Sequence, residues 1–322
     1  MPDYILRGDV KIAQPSFRIL LYFDGSLNDP VNAKGVVPLF DLFIKTYGEE
    51  AAWVAIANHN SRRLTPKKLS KKQIERARTW LSTPDKIWPS TCRVVGPLDD
   101  ETCNVVVPAF RVDEYRVNFL DISVPDDITR AVPFADSATE IIREIPVIAC
   151  IMGFGFYLPQ ALESLEDWMP RGFERYRTAI EFMVSGATMG IRKTGQGYRW
   201  DKSPELEPDA PADLQPGIPD IGWRTIVGAE FLDRLPDLKS ALATTPEVSV
   251  HSTPGMAVLT AGEQPIWGDV VAGEDISAYQ AVAKTLAPVR YPLDVAYGSL
   301  FGNQYYDPQG RARIRAYLSR FD

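Results

Sequence analysis

Residues 201–220 read DKSPELEPDAPADLQPGIPD, with five prolines between Pro204 and Pro219 and six acids against the single Lys202. Each proline fixes its own φ and removes a backbone donor, so neither a helix nor a central strand can run through the stretch. It is an extended connector, and the regular elements must lie on either side of it. Within 322 residues this leaves two arrangements open. One is a single domain crossed by a long loop; the other is two lobes, 15–190 and 222–322, joined through 191–221. An acidic connector of this length also reads as a binding arm, which makes Glu205, Glu207, Asp209 and Asp213 candidate partner contacts.

Before the connector, PSFRILLYFDG is a strand ending in an Asp24-Gly25 turn. GVVPLFDLFIKTYG carries Val36, Leu39, Phe43 and Tyr47 at helical spacing with Gly48 as a stop, and AAWVAIAN follows as a strand, giving a β-α-β-like unit. LTPKKLSKKQIERARTWLS has two helix-start signals, Thr65-Pro66 and the box Ser70…Gln73, with Leu69, Ile74, Ala77 and Leu81 roughly on one face. CNVVVPAF and YRVNFLDISVP read as two strands of a meander. A second box, Ser137…Glu140, opens a short helix that leads into the long apolar strand VIACIMGFGFYLP. QALESLEDWM and GFERYRTAIEFM have amphipathic helical spacing, the second with Phe173, Tyr176, Ile180 and Met183 on one side.

Beyond the connector, GWRTIVGAEFLDRL and DLKSALA read as helical, and EVSVHSTPGMAVLTAG as a hairpin. ISAYQAVAKTLAPV is a helix, and DPQGRARIRAYLSRF is another, with Asp307 as cap and Pro308 at its first position. Short helices interleaved with hairpins predict an α+β fold, a largely antiparallel sheet or sheets with several amphipathic helices packed on them.

Charge narrows the partners. Residues 61–86 hold nine of the 35 basic side chains against Glu75 and Asp85, and the rest carries 26 basic and 40 acidic ones, a net of −14. The basic residues are expected on the wet side of a helix, with a phosphate-binding surface as the alternative. The acidic remainder repels nucleic acid and favours a cationic partner. No stretch reaches the roughly 20 apolar residues that span a bilayer. The opening MPDYILRGDVKIAQPSF lacks a signal peptide's cationic start and apolar core, so a cytoplasmic location is expected.

Motifs for chemistry are scarce. Cys92, Cys103 and Cys150 show no CxxC spacing and are expected as reduced, partly buried thiols; with only His59 and His251 beside them, no zinc site built mainly on His and Cys is expected, a carboxylate metal site stays open in principle, and no metal ligand is assigned. MGFGFYL fails as a dinucleotide fingerprint, because Leu158 stands where the third glycine belongs, and no cofactor is expected. Gly153 and Gly155 instead suggest a bulge or close strand packing. His251, between Ser249 and Ser252, is expected as a satisfied structural histidine on a half-buried hairpin. Paired carboxylates keep a hydrolase open as an alternative: Glu163 with Glu166 or Asp167, and Glu263 with Asp269.

Several segments together resemble the type VI secretion immunity family, formerly a domain of unknown function. The likeness rests on Gly222-Trp223 near a helix start, then Gly262…Pro265…Gly268-Asp269, then Tyr279…Pro288…Arg290. GFGFYLPQALE, FERYRTAIEFM and LTPKKLSKKQIERARTWL are also similar to it, so the likeness runs over about residues 15–292. RLPDLKS departs from it, standing where the family has a small glycine-rich turn. The resemblance implies an immunity protein that binds a cognate effector toxin in the cytoplasm and blocks its active site, nucleases being among the toxins concerned. An adaptor of a secretion assembly is the other non-catalytic reading.

From charge alone, the contact surface is expected on the acidic loops, at 201–220 and at 263–275, where Glu263, Glu274 and Asp275 join the candidates. In AGEQPIWGD, residues 261–269, Gly262 and Gly268 suit turns, Trp267 an anchor, and Asp269 a cap on backbone amides.

Overall fold

The computed structural model describes residues 2, 5–7, 10–57, 65–83, 90–99, 104–105, 107–114, 118–157, 172–181, 191–194, 197–200, 217–243, 245–290 and 308–322. Fifteen strands lie among them. The first nine are β1 (Ile5–Arg7), β2 (Val10–Phe23), β3 (Trp53–Ala57), β4 (Lys67–Lys68), β5 (Ser90–Val95), β6 (Leu98–Asp99), β7 (Asn104–Val105), β8 (Ala109–Glu114) and β9 (Asn118–Val124). After them come β10 (Val147–Tyr157), β11 (Ile191–Thr194), β12 (Gly197–Trp200), β13 (Arg224–Gly228), β14 (Val248–Thr253) and β15 (Met256–Ala261). The helices are α1 (Pro30–Tyr47), α2 (Lys71–Ser82), α3 (Ile128–Ile142), α4 (Ala229–Leu232), α5 (Leu238–Leu242), α6 (Ser277–Thr285) and α7 (Pro308–Leu318).

Eleven strands form one sheet in the order β14-β15-β13-β10-β2-β9-β8-β5-β3-β4, with β1 paired on β2. Each pairing in it is antiparallel. The α+β class expected from the sequence is the class observed. β2 and β10 sit at the centre and pair from Phe23↔Val147 to Gln14↔Tyr157, with a bulge between Val147 and Ala149. Ile148 to Phe156 are all buried, so both faces of β10 are covered, which explains why its sequence is apolar without alternation. Segments from both sides of the proline-rich stretch share this sheet, because β13 pairs directly with β10.

The strand–helix–strand unit at the N-terminus takes a wider form than adjacency suggests. β9, β8 and β5 separate β2 from β3, and the run of antiparallel pairings leaves β2 and β3 parallel. α1 makes this crossing, placing Phe40 and Phe43 against Phe110 of β8 at 5.4 and 5.5 Å between ring centroids. α2 begins where the sequence signal places it, with the Ser70 hydroxyl accepting from the Gln73 amide, and it buries Ala77 and Leu81. Its exposed Lys71, Lys72 and Arg76 form the wet face, and the two lysines of β4 end the sheet, where charge discourages strand addition.

Four local expectations are corrected. GWRTIVGAEFLDRL is not a helix: Arg224–Gly228 is a strand between β10 and β15, and only the single turn α4 follows. The β-branched run Thr225-Ile226-Val227 is fully buried there, so sheet burial overrides helical spacing. The box at Ser137 does not start a helix. α3 begins at Ile128, capped by Asp127, and the Ser137 hydroxyl donates to the Pro133 carbonyl in mid-helix. GFERYRTAIEFM is not helical over its described part, which is a short 3-10 turn at Gly172–Glu174 followed by turns and isolated bridges at Tyr176 and Ile180. Ile180 exchanges hydrogen bonds with Phe154 and Phe156 of β10, a sheet-edge contact that competes with helix formation; Met183 lies outside the described residues. His251, expected on a half-buried hairpin, is exposed on β14.

Gly155 explains why that segment can approach β10, since a Cβ there would stand 2.3 Å from the Ile180 carbonyl oxygen. Cys92 and Cys150 are buried free thiols, and burial pushes the Cys150 thiol up. Among the described residues no helix is long and apolar enough to cross a membrane.

The C-terminal helix is locked in place by charge. The Arg320 side chain is fully buried and donates to both Asp220 oxygens at 2.8 and 2.9 Å, to Arg177 O at 2.9 Å and to Tyr317 O at 2.9 Å. The Tyr317 hydroxyl also donates to Asp220, and accepts from the Glu181 amide at 2.9 Å. Asp220, counted with the solvated acids of the connector, is therefore a core residue. Removing one partner of such a pair leaves an uncompensated buried charge, which costs about 3–5 kcal/mol. Asp220→Ala is expected to lower the unfolding free energy by that order in urea titration, and Asp220→Leu with Arg320→Leu by markedly less.

Candidate partner-binding surface

The loop between β15 and α6 is built on Trp267. Its indole stacks on Phe154 at 5.0 Å with planes 7° apart, and meets Phe156 and Tyr176 at 5.4 and 5.6 Å. Backbone bonds then tie the loop to the 175–178 segment. Thr178 N donates to Trp267 O at 3.2 Å, Arg177 N to Gly268 O at 3.0 Å and Val270 N to Arg175 O at 3.0 Å. Gly268 has φ +64°, and a Cβ there would fall 2.9 Å from the Thr178 methyl, so only glycine fits this corner without strain. At the loop's start the Trp223 indole donates to Gly262 O at 3.2 Å.

From this base a tip of seven residues, 269–275, projects into solvent. Arg175 clasps the Asp269 carboxylate with two nitrogens, Nε at 3.1 Å from Oδ1 and Nη2 at 2.9 Å from Oδ2. Asp269 Oδ1 also accepts from the Val271 amide at 2.9 Å. Returning the contact, Glu274 Oε2 accepts from the Asp269 amide at 2.9 Å, and Glu274 N donates to Asp269 O at 3.1 Å. Asp275 Oδ1 accepts from Ser277 N at 2.8 Å, at the start of α6. The tip's donors are thus largely met from within.

What the tip shows to solvent is unusual. Val270 is 49% and Val271 76% exposed, and with Val31 they are the exposed large hydrophobics among the described residues. The exposed apolar pair sits beside Asp269, Glu274 and Asp275 on a loop fixed by its own hydrogen bonds. Glu263, Glu274 and Asp275, expected to face a partner, are all exposed here. Glu205, Glu207, Asp209 and Asp213 lie outside the described residues, as do His59, Cys103 and the pair of Glu163 with Glu166 or Asp167. Asp269 does cap backbone, as expected, but its main partner is Arg175, which no local feature of the sequence couples to it. The two valines are not among the residues expected from charge. Their signal was local: adjacent apolar residues between Asp269 and Glu274, in a stretch with neither helical nor strand periodicity.

The Arg175 guanidinium, and after it the Val271 amide, hold the Asp269 carboxyl below the usual carboxylate range; the Ser277 backbone bond does the same for Asp275.

No protein-family model matches the chain, and no curated protein matches it. Among solved structures, a T6SS (type VI secretion system) protein of Pseudomonas aeruginosa aligns with a TM-score of 0.73 and 15% identity, over 99% of this chain and 87% of that one. The likeness is one of fold. It extends over nearly the whole of this chain rather than a fragment.

A carboxyl whose folded pKa is depressed stabilises the fold above its unfolded pKa and loses that contribution as pH falls through the folded value. Val271 and Ser277 amide protection, followed by hydrogen exchange, is therefore expected to hold at neutral pH and to fall once pH drops through and below the usual carboxylate range. Arg175→Gln should reduce Val271 protection already at neutral pH while leaving the amides of β10 unchanged.

Proposed function

We propose that this chain is an immunity protein of a type VI secretion system. It binds the toxic domain of a cognate effector in the cytoplasm, covers that domain's active site, and performs no catalysis of its own. The observation that carries the reading is the tip at 269–275, a pre-ordered loop with two exposed valines and acids around them. A loop already fixed in the free protein loses little conformational entropy on binding, which suits an inhibitor that must bind tightly. The fold likeness to a Pseudomonas aeruginosa T6SS protein supports the choice of system.

Val270 and Val271 supply the apolar centre of the contact, and Glu263, Glu274 and Asp275 its charged rim. The acids Glu205, Glu207, Asp209 and Asp213 extend the negative field along the chain. A cleft that holds phosphates is lined with cations, so a nuclease is the toxin class best matched to this surface. Rim charges act chiefly on association rate and salt dependence, and the buried apolar centre on residence time.

Coexpression with the toxic domain encoded beside this chain's gene should restore growth and yield a stable complex. Val271→Arg should weaken that complex by about ten- to a hundredfold without changing thermal stability, as expected for a central contact. Charge reversal at Glu263, an exposed rim acid outside the bonds that hold the tip, should slow association and flatten its salt dependence. Absence of both rescue and complex would sink the immunity reading.

A further inference from the structure

The two ends of the central sheet differ in how they meet solvent. At one end β4 is two residues long, and both are exposed lysines that guard the edge. At the other end β14 runs for six residues, VSVHST, with no lysine, arginine or proline and a regular register against β15. Ser249, His251 and Ser252 are exposed there. The Pro254-Gly255 turn also stands clear, since a Cβ on Gly255 would meet nothing within 4 Å.

Hydrogen bonds around the hairpin fix which backbone groups face outward. Gly262 N donates to Glu247 O at 2.7 Å, so these two residues form a bonded pair. The antiparallel alternation then makes bonded pairs of 249 with 260, 251 with 258 and 253 with 256. Ala261 N donates away from β14, to Trp223 O at 2.8 Å, as that alternation requires. Val248, Val250 and Ser252 therefore turn their N–H and C=O groups to the open edge. Val248 N donates to Thr245 O at 3.0 Å, whereas the outward groups of Val250 and Ser252 bond no other described residue. An unpaired edge of this kind is a template for another strand.

We propose that β14 pairs antiparallel with β14 of a second copy of this chain, about a two-fold axis at His251. The register identifies the occupant. Two-fold pairing of the outward groups can be centred on 250, 251 or 252. Centred on 250, Ser252 would need Val248, whose N–H is already bonded within its own chain. Centred on 252, Val250 would need Pro254, which has no N–H. Centred on 251, Val250 of each copy bonds the partner's Ser252 in both directions, and these four hydrogen bonds use every outward group of both residues. Ser249 then lies opposite the partner's Thr253, and the two copies of His251 meet at the axis. The edge is thus complementary to itself, and the pairing is independent of the effector-binding reading.

Sedimentation equilibrium of the intact chain should show a reversible dimer. With one strand from each copy the interface is small, so a Kd on the order of micromolar to tens of micromolar is expected. Cysteine substitutions read the register. The two copies of residue 251 would have Cα atoms about 4.5 Å apart, within disulfide reach, and the two copies of residue 249 about 13 Å apart, beyond it. Relative to the unsubstituted chain, His251→Cys should cross-link to itself on oxidation and Ser249→Cys should not. Ser249→Cys mixed with Thr253→Cys should cross-link as a pair. Ser252→Pro removes an outward donor and no bond to β15, and should abolish the dimer. His251→Lys, at an exposed position, should raise the Kd about three- to tenfold by setting two ammonium groups opposite each other, with the thermal midpoint unchanged. A monomer at all concentrations up to about 1 mM would overturn the proposal. So would cross-linking at 249 as readily as at 251, or a dimer indifferent to both Ser252→Pro and His251→Lys. A chain that is monomeric alone, yet forms an effector complex sensitive to Ser252→Pro, would assign the edge to a strand of the effector and overturn it equally.

Discussion

The pairing of β2 with β10 is the constraint on which the remaining architecture depends. Ten residue pairs join these strands at the middle of an eleven-stranded sheet, and each strand's other edge carries a further arm of that sheet. Because β10 is buried on both faces, it can accept only neighbours that bring their own backbone partners or that pack tightly. At its far end it receives the segment 178–180, admitted by Gly155, and Trp267 stacked on Phe154. The outward-facing loop is therefore mounted, through its aromatic contacts, on a central strand buried on both faces. Its position is set by the core and its composition is not.

Two kinds of ion pair follow from that geometry and do different work. Asp220 and Arg320 are out of water, hydrogen-bonded at nearly every polar atom, and fasten the last helix to the sheet. Asp269 and Arg175 lie at the surface, where water screens them and the net contribution of an ion pair to global stability is small. Their value is local order. A bidentate arginine fixes the carboxylate in one orientation, and the carboxylate in turn fixes the Val271 amide.

The sequence was most readable where a local rule and the tertiary environment agree. Ser70 and Gln73 announce α2, Pro254 and Gly255 turn the hairpin of β14 and β15, and the apolar run of β10 reads as the strand it is. It misled where tertiary burial decided between two periods. Thr225, Ile226 and Val227 fit a helical segment until two flanking strands claim them. Tyr176 and Ile180 sit at helical spacing, yet the first packs on Trp267 and the second bonds β10. Of the candidate surface, the acids at 263, 274 and 275 were legible from charge. Arg175, 94 residues away from Asp269, was not, because nothing local couples them.

The internal hydrogen bonding of the tip has a consequence for variation. Its conformation is held by Asp269, Glu274, Gly268 and Arg175, none of which needs a particular side chain at 270 or 271. Substitution at such exposed positions usually changes the folding free energy by only about half a kcal/mol, so the two outward residues can change one at a time without passing through an unfolded intermediate sequence. A scaffold of this kind separates heritable shape from heritable preference, and lineages that share the first are free to diverge in the second.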